Sequence, residues 1–315
     1  MMNIATFPEI NVIYIAGHGR SGSTLLDCLL GQVPELFSLG EVRFSWHQGF
    51  IENHLCACGQ PFHECNFWTS VVKESSEFID EKKILDFAEH VARLDKVRTI
   101  PQFLRFSKAA DSYNLLMEEV ITFSKLYQTI AKVSGSSWLI DSSKTAWYAY
   151  LLHNVPGIKL HVVHLIRDAR AVAYSRQRKK VLKGAPSENK YMATFSSSNT
   201  AKWWNYDNLA AQSLRHISDT YIRVRYEDLI QDPKAQISRI LERIGFKDGI
   251  NLNFLDGNTA YLKSSHIVYG NPSRFQQGAT TLCLDDEWKR NMPAKHYFTV
   301  TLTALPLLIL YGYLM

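Results

Sequence analysis

The residues best equipped for chemistry lie in "GHGRSGSTLLDCLL", Gly17 to Leu30. Set on the phosphate-binding pattern G-x-x-x-x-G-K-[ST], the run supplies Gly17, Gly22 and Thr24, but Ser23 occupies the lysine position. The other parts of a phosphate cradle are there. Gly19, Ser21, Gly22, Ser23 and Thr24 offer amides and hydroxyls where a strand turns into a helix, and Arg20 brings a cation into the turn. An arginine fork in place of the lysine suits a terminal phosphate or sulfate and disfavours nucleoside triphosphate hydrolysis. A tight Gly/Ser turn without a ligand is the plainer alternative for such a loop in isolation.

The loop has a basic counterpart. "LIRDARAVAYSR" puts Arg167 at the carboxyl end of an expected strand and Ser175 eight residues later on the helix that follows, with Arg176, Arg178, Lys179 and Lys180 beyond. A solvated basic helix accounts for Arg176 to Lys180, but not for a cation at a strand end. Ligands of open α/β sheets bind at the carboxyl ends of strands, so both motifs are expected at one crevice. Two cationic sites there suit a nucleotide carrying phosphates at two ends.

The elements that position these motifs follow from apolar periodicity. "NVIYIA" (Asn11–Ala16), "SWLID" (Ser137–Asp141), "KLHVVHLIRD" (Lys159–Asp168) and the start of "TYIRVRYEDLIQDP" read as strands, each followed by a helical segment, the last with a helix start near Asp232-Pro233. Strands alternating with helices predict an α/β fold: a mainly parallel sheet, P-loop-like, with helices on both faces. Residues 75–135 read as a helical insertion, and polar residues 181–200 as a mobile loop. Neither a repeat nor a linker interrupts the pattern, so one domain over residues 1–315 is expected.

Composition narrows the function classes. The 315 residues are 46% apolar and 21% charged, enough for a sizeable core. A net charge of +5 without long basic runs fits an anionic small ligand and argues against a nucleic-acid partner. The N-terminal residues show no signal-peptide pattern, and five unevenly spaced cysteines are no secreted disulfide framework, so the expected compartment is the cytoplasm. "YFTVTLTALPLLILYGYLM", Tyr297 to Met315, approaches the length of a membrane span, but its proline, hydroxyl residues and tyrosines favour a buried terminal helix over a tail anchor.

Together these segments resemble the sulfotransferases that use 3′-phosphoadenosine 5′-phosphosulfate (PAPS). "GHGRSGSTLL" is similar to that family's 5′-phosphosulfate loop, "LIRDARAVAYS" to its 3′-phosphate motif, and "RYEDLIQDP" to a third segment whose tyrosine, here Tyr226, contacts the nucleotide. The "RSGSTLL" form is closest to the Golgi-type carbohydrate and tyrosylprotein branch and its soluble bacterial relatives, natural-product enzymes among them. The resemblance implies a PAPS-binding set of Gly19, Arg20, Ser21, Gly22, Ser23, Thr24, Arg167, Ser175 and Tyr226, with PAP as product and no metal required. It implies transfer of a sulfuryl group to a hydroxyl or amine of a small-molecule natural product or a carbohydrate.

The same resemblance assigns the chemistry. "SLGEVRFSW" carries Glu41 twenty-one positions beyond Arg20, where the tyrosylprotein enzymes have a glutamate base, and Arg43 two residues on. His18 and His47 are the competing bases, because the cytosolic branch uses a histidine. Lys144, at a second strand end in "LIDSSKTAW", resembles a lysine that carries charge on the transferring group; a helix-surface lysine is the alternative. "GNPSR" resembles a segment of bacterial relatives read as a loop closing over the nucleotide, bringing Arg274 and His266 with it. Trp203 and Trp204 are either an adenine platform or core. A nucleotide kinase or NTPase, or a non-catalytic PAP-binding module, is the competing function.

One cluster stands outside this reading. "HLCACGQPFHECNFW" groups Cys56, Cys58 and Cys65 with His54 and His63 within twelve residues. The spacing C-x-C-x₆-C matches no common zinc pattern, and three states remain open: a structural zinc site, a local disulfide, or free packed thiols.

Overall fold

The apolar runs form one parallel sheet in the computed structural model of the chain, which describes residues 8–76, 81–94, 110–186, 191–247 and 250–314. Its strands are β1 (Ile10–Ala16), β2 (Leu36–Ser38), β3 (Trp138–Lys144), β4 (Ile158–Ile166) and β5 (Thr220–Arg225), in the order β2-β3-β1-β4-β5. All four pairings are parallel. The chain fills one side of β1 before the other, so the direction of winding reverses at β1, and there a crevice opens at the carboxyl edge. The edge strand β2 was not anticipated: three residues, Leu-Phe-Ser, leave no period to read. Nor was a small antiparallel sheet of β6 (Leu255–Asp256), β7 (Thr259–Leu262) and β8 (Gly278–Thr281).

Alternation along β1 explains the two cores. Val12 and Tyr14 face one, Ile13 and Ile15 the other, as a parallel sheet covered on both faces demands. The α-helices of six residues or more among the described residues are, in chain order, α1 (Ser23–Leu30), α2 (Asn66–Ser75), α3 (Glu81–Leu94), α4 (Ala110–Ser134) and α5 (Ala146–His153). They continue as α6 (Ala169–Gln177), α7 (Ser197–Ser213), α8 (Tyr226–Gln231), α9 (Pro233–Arg243) and α10 (Ala294–Leu310). Phe67 and Trp68 of α2, Tyr127 and Ile130 of α4, and Tyr148 and Leu152 of α5 fill the first core. Leu26 and Leu29 of α1 with Ile237, Ile240 and Leu241 of α9 fill the second. Asp232 caps α9 by accepting from the Ala235 N–H, with Pro233 at the first helical position, a strong start signal.

The expected helical insertion is present as α3 and α4, and residues 77–80 and 95–109 within it lie outside the described residues. The expected loop over 181–200 is shorter than the sequence suggests. α7 already begins at Ser197, capped by the Ser196 hydroxyl, and a β-bridge joins Val181 to Tyr191. The C-terminal run folds into α10, which is buried on one face only. Val300, Ala304, Leu307 and Leu308 pack on α6 and α7, while Phe298, Leu302 and Ile309 stay exposed. No helix among the described residues is long and apolar enough to cross a membrane.

Asp27 is an unexpected buried acid on α1. Its carboxylate accepts the Ser38 hydroxyl of β2, tying the helix to the edge strand. Burial raises its pKa from 3.8 to about 7, outweighing hydrogen bonds from Ser142 and Ser38 that act the other way. A carboxyl raised on folding contributes stability that is complete below its unfolded pKa of 3.8 and is lost as the pH rises through about 7. Asp27→Asn is therefore expected to lessen the fall in urea-unfolding free energy between pH 4 and 7. A slope equal to that of the parent chain would mean that Asp27 is ionised in the folded protein throughout.

Candidate active site

Every strand of the large sheet delivers a site residue at its carboxyl end. β1 runs into the Gly17–Thr24 loop, β2 leads to Glu41, β3 ends on Lys144, β4 is followed by Arg167, and β5 by Tyr226. The two sequence motifs meet directly: Arg167 Nη1 donates to the Arg20 carbonyl at 3.3 Å. Behind this contact the buried Trp204 indole donates to the Arg167 carbonyl at 2.9 Å, fixing the backbone from which the guanidinium projects.

Close approaches shape the loop. Gly22, with φ at 92°, caps α1, and a Cβ there would come within 2.5 Å of the Tyr226 ring. The Arg167 guanidinium lies over the other part of this stack, 4.5 Å from the Tyr226 centroid. Arg20 itself holds a left-handed φ of 72°, unusual for a residue with a side chain and costly unless the surroundings impose it. Thr24 accepts the Asn271 N–H on its hydroxyl at 3.3 Å, closing the "GNPSR" segment onto the start of α1.

These elements enclose a cavity of about 410 Å³. Gly19, Arg20, Gly22, Ser23, Thr24, Glu41, Arg43, Lys144, Arg167, Ser175 and Tyr226 line it, so most of the residues expected at the site share one wall. Ser21 is not among them, though its buried hydroxyl has no hydrogen-bond partner. Six basic side chains, Arg20, Arg43, Lys144, Arg167, Arg176 and Lys180, face two carboxylates, Glu41 and Asp285. Burial, then repulsion from Arg176, lowers Arg20 to about 10, with Tyr269 opposing, Arg178 adding and Glu41 opposing in decreasing order. Burial likewise lowers Arg176 and Lys180, the latter with added repulsion from Arg20 and Arg178. Arg20 Nε and Nη1 are buried without a hydrogen-bond partner. Desolvated cations and orphaned donors at the start of a helix call for a multiply charged anion.

Glu41 and Lys144 form an ion pair in the cavity lining, 2.6 Å apart. Lys144 holds a left-handed φ of 71°, and burial lowers its pKa against the opposing pull of Glu41. Asp141 supports both partners. Its carboxylate accepts the Ser143 N–H at 2.8 Å, beside Lys144, and the Val42 N–H, beside Glu41. Tyr127 of α4 donates to the same carboxylate at 2.5 Å, so the helical insertion braces the pair. Burial raises Asp141 to about 6 despite these bonds.

Other expectations land elsewhere. His18 is buried against Asp207, 2.6 Å away, and His47 is exposed beside Glu52; neither lines the cavity. Arg274 is buried and does not line the cavity, donating to the carbonyls of Gly270 at 3.1 Å and Lys183 at 3.0 Å. It ties the segment together, while Asn271 and Ser273 reach the cavity. Trp204 is core, and Trp203 packs on Tyr206 at 5.8 Å, so neither forms an adenine platform. Cys56, Cys58 and Cys65 do converge, but on His266, whereas His54 pairs with Glu52 and His63 with the Phe50 carbonyl.

Sequence reasoning missed two cations. Arg176 and Lys180 belong to the cavity rather than to a solvated helix face, and Arg176 reaches back so far that a Cβ on Gly19 would meet its guanidinium. The available signal was helical spacing: Arg176 follows the buried Val172 by four residues, which turns it inward rather than to solvent.

A family model described as "Sulfotransferase family" matches residues 12–248, from the first strand past the last helix of the sheet domain. The chain belongs to the sulfotransferase family. A solved structure, the sulfotransferase domain from the Synechococcus PCC 7002 olefin synthase, has the same fold, with a TM-score of 0.54 and 20% identity. The likeness spans 98% of this chain and 97% of that one, so the small antiparallel sheet and α10 fall within it as well. No curated protein sequence matches significantly.

In this sulfotransferase, Arg176 and its neighbour Lys179 separate local binding from general charge. Arg176 lines the cavity and Lys179 is exposed. Arg176→Ala is expected to weaken pyrophosphate binding by about tenfold or more, the worth of a charge-assisted hydrogen bond. Lys179→Ala leaves it nearly unchanged. Equal losses in calorimetry would reduce Arg176 to a contributor of net charge.

Proposed function

We propose that this sulfotransferase uses PAPS and transfers its sulfuryl group to a hydroxyl or amine of a small-molecule natural product or carbohydrate, with Glu41 as base. The observation that carries the reading is the Glu41–Lys144 pair, set in the same wall as the orphaned donors of Arg20. Bound PAPS supplies an activated sulfuryl group on a 5′-phosphate.

The residues present fit that donor. Arg20, the hydroxyls of Ser23 and Thr24 and the backbone of Gly22 offer donors for the 5′ end. Arg167 and Ser175 serve the 3′-phosphate, with Arg176 and Lys180 adding charge. Arg167 also pairs with Asp285 at 3.2 Å, a carboxylate that already sits where negative charge is favoured. Burial opposes the charge on Asp285, but Arg167, Arg178 and Lys180 outweigh it and lower its pKa. Tyr226 and Arg167 form a stacked face that suits the nucleotide.

Glu41 receives the acceptor's proton. Lys144, in contact with it, stabilises the negative charge that grows as the sulfuryl group leaves the 5′-phosphate, and Arg43 stands beside them. Phe44 and Tyr269, whose rings meet at 4.8 Å, add an apolar wall for the acceptor's body. Competing activities are weaker fits. The loop has no lysine for a triphosphate, and the intact Glu41–Lys144 pair is surplus to a module that only binds PAP.

Two measurements test this reading. Calorimetry should give tight binding of PAP and weak binding of ATP; the reverse order would point to a kinase or NTPase. Glu41→Gln should retain PAP binding while transfer from labelled PAPS, to an acceptor found by screening glycans, phenols and amines, falls about 10²–10⁴-fold, the usual contribution of a general base. Near-normal turnover in this variant would remove Glu41 from the reaction.

A further inference from the structure

The convergence of Cys56, Cys58, Cys65 and His266 serves no step of sulfuryl transfer. Their ligand atoms all lie within 4.8 Å of one another. Cys65 Sγ is 3.6 Å from Cys56 Sγ and 3.7 Å from Cys58 Sγ. His266 Nδ1 stands 3.7 Å from Cys56 Sγ and 3.3 Å from Cys65 Sγ. A disulfide needs sulfurs about 2.05 Å apart, and all of these cysteines are free. A tetrahedral ion with zinc–sulfur bonds of about 2.3 Å and zinc–nitrogen bonds of about 2.0 Å separates its ligands by roughly 3.8 Å for sulfur pairs and 3.5 Å for sulfur and nitrogen. The four separations fall close to those values.

We propose that Cys56, Cys58, Cys65 and His266 form a structural zinc site that fastens the residue 55–65 loop to the segment running from His266 to Arg274. Three thiolates and an imidazole complete a closed tetrahedron, and soft ligands of this kind select zinc over magnesium or calcium. The surroundings are built to orient them. The Cys58 N–H bonds the Cys56 sulfur and the Trp68 N–H the Cys65 sulfur. The His266 ring packs against Phe67 and Phe37, at 4.9 and 6.1 Å, and its carbonyl accepts the Trp68 indole N–H at 2.8 Å. Gly59, with φ at 92°, closes a tight turn over the first and second cysteines by donating to the Cys56 carbonyl.

Sequence spacing concealed the site because the fourth ligand comes from 201 residues beyond Cys65. The consequence reaches the cavity. From His266 the chain runs through Tyr269 to Asn271 and Ser273, which line the active site and close on Thr24. Binding releases the thiol protons, and the ion's free energy becomes folding free energy for that wall.

The test is metal analysis of the full chain, expressed with zinc in the medium and purified without chelator. About one zinc per chain is expected, falling to background in Cys58→Ser and His266→Ala and retained in His266→Cys, which keeps four ligands. Cobalt reconstitution should give the intense visible bands of a tetrahedral thiolate site, and a chelator should lower Tm reversibly. Protein without zinc above the buffer blank, iron in its place, or an intact-mass loss indicating a disulfide in this cluster would each overturn the proposal. PAP calorimetry on the same preparation is a separate readout: PAP binding by protein that holds no zinc would overturn the metal site and leave the sulfotransferase reading standing.

Discussion

Arg20, Arg167, Arg176 and Lys180 crowd the carboxyl edge of the sheet, where burial disfavours the charges of Arg20, Arg176 and Lys180 and repulsion from neighbouring cations adds to this at Arg20 and Lys180. Holding like charges together out of water is unfavourable, and the scaffold must over-determine them for the arrangement to persist. It does so with backbone geometry. Arg20 is forced into a left-handed turn between two glycines, Arg167 is pinned by Trp204 from behind, and Tyr226 presses on Gly22 from the side. The parallel sheet is the frame that brings these three segments to one edge, because parallel strands all end on the same side.

Asp141 does for the Glu41–Lys144 ion pair what Trp204 does for Arg167. One buried carboxylate accepts N–H groups from both sides of the Glu41–Lys144 pair and a hydroxyl from α4. Loss of any one bond would leave a buried acid short of a donor, so the network couples the insertion helix to the edge strand and the reaction centre. Asp27 repeats the device one layer away, joining α1 to β2 through Ser38. Neither acid could be singled out in the sequence, since each sits among ordinary helix or strand neighbours and gains its role only from burial.

The sheet was legible where apolar runs were long. "NVIYIA" and "KLHVVHLIRD" announce β1 and β4, and their carboxyl ends lead to the two basic motifs. β2 was invisible because three residues carry no period, although Glu41 follows it by only three positions. Arg274 misled for another reason. An arginine in a turn looks like a ligand-binding group, but here its guanidinium donates to the Gly270 carbonyl of its own segment and to the Lys183 carbonyl of another loop. The cysteine cluster was half legible: three thiols are close in sequence, while His266 is close only in space. Local chemistry is readable when the groups share a turn or a strand end; partners brought together by tertiary packing are not.

The serine at position 23 acquires its meaning from this geometry. A lysine on the first turn of α1 would be fixed to the loop's anion and could do little else. The cation instead comes from Lys144, on the adjacent strand β3, where it contacts Glu41 as well as the cavity. In the proposed reaction one ammonium serves both the carboxylate and the developing charge of the transferring group, and binding is left to Arg20 and Arg167. On that proposal, separating the binding cations from the paired one would let the site hold its anion without committing the lysine to the ground state, which is the condition for favouring a transition state over a bound substrate.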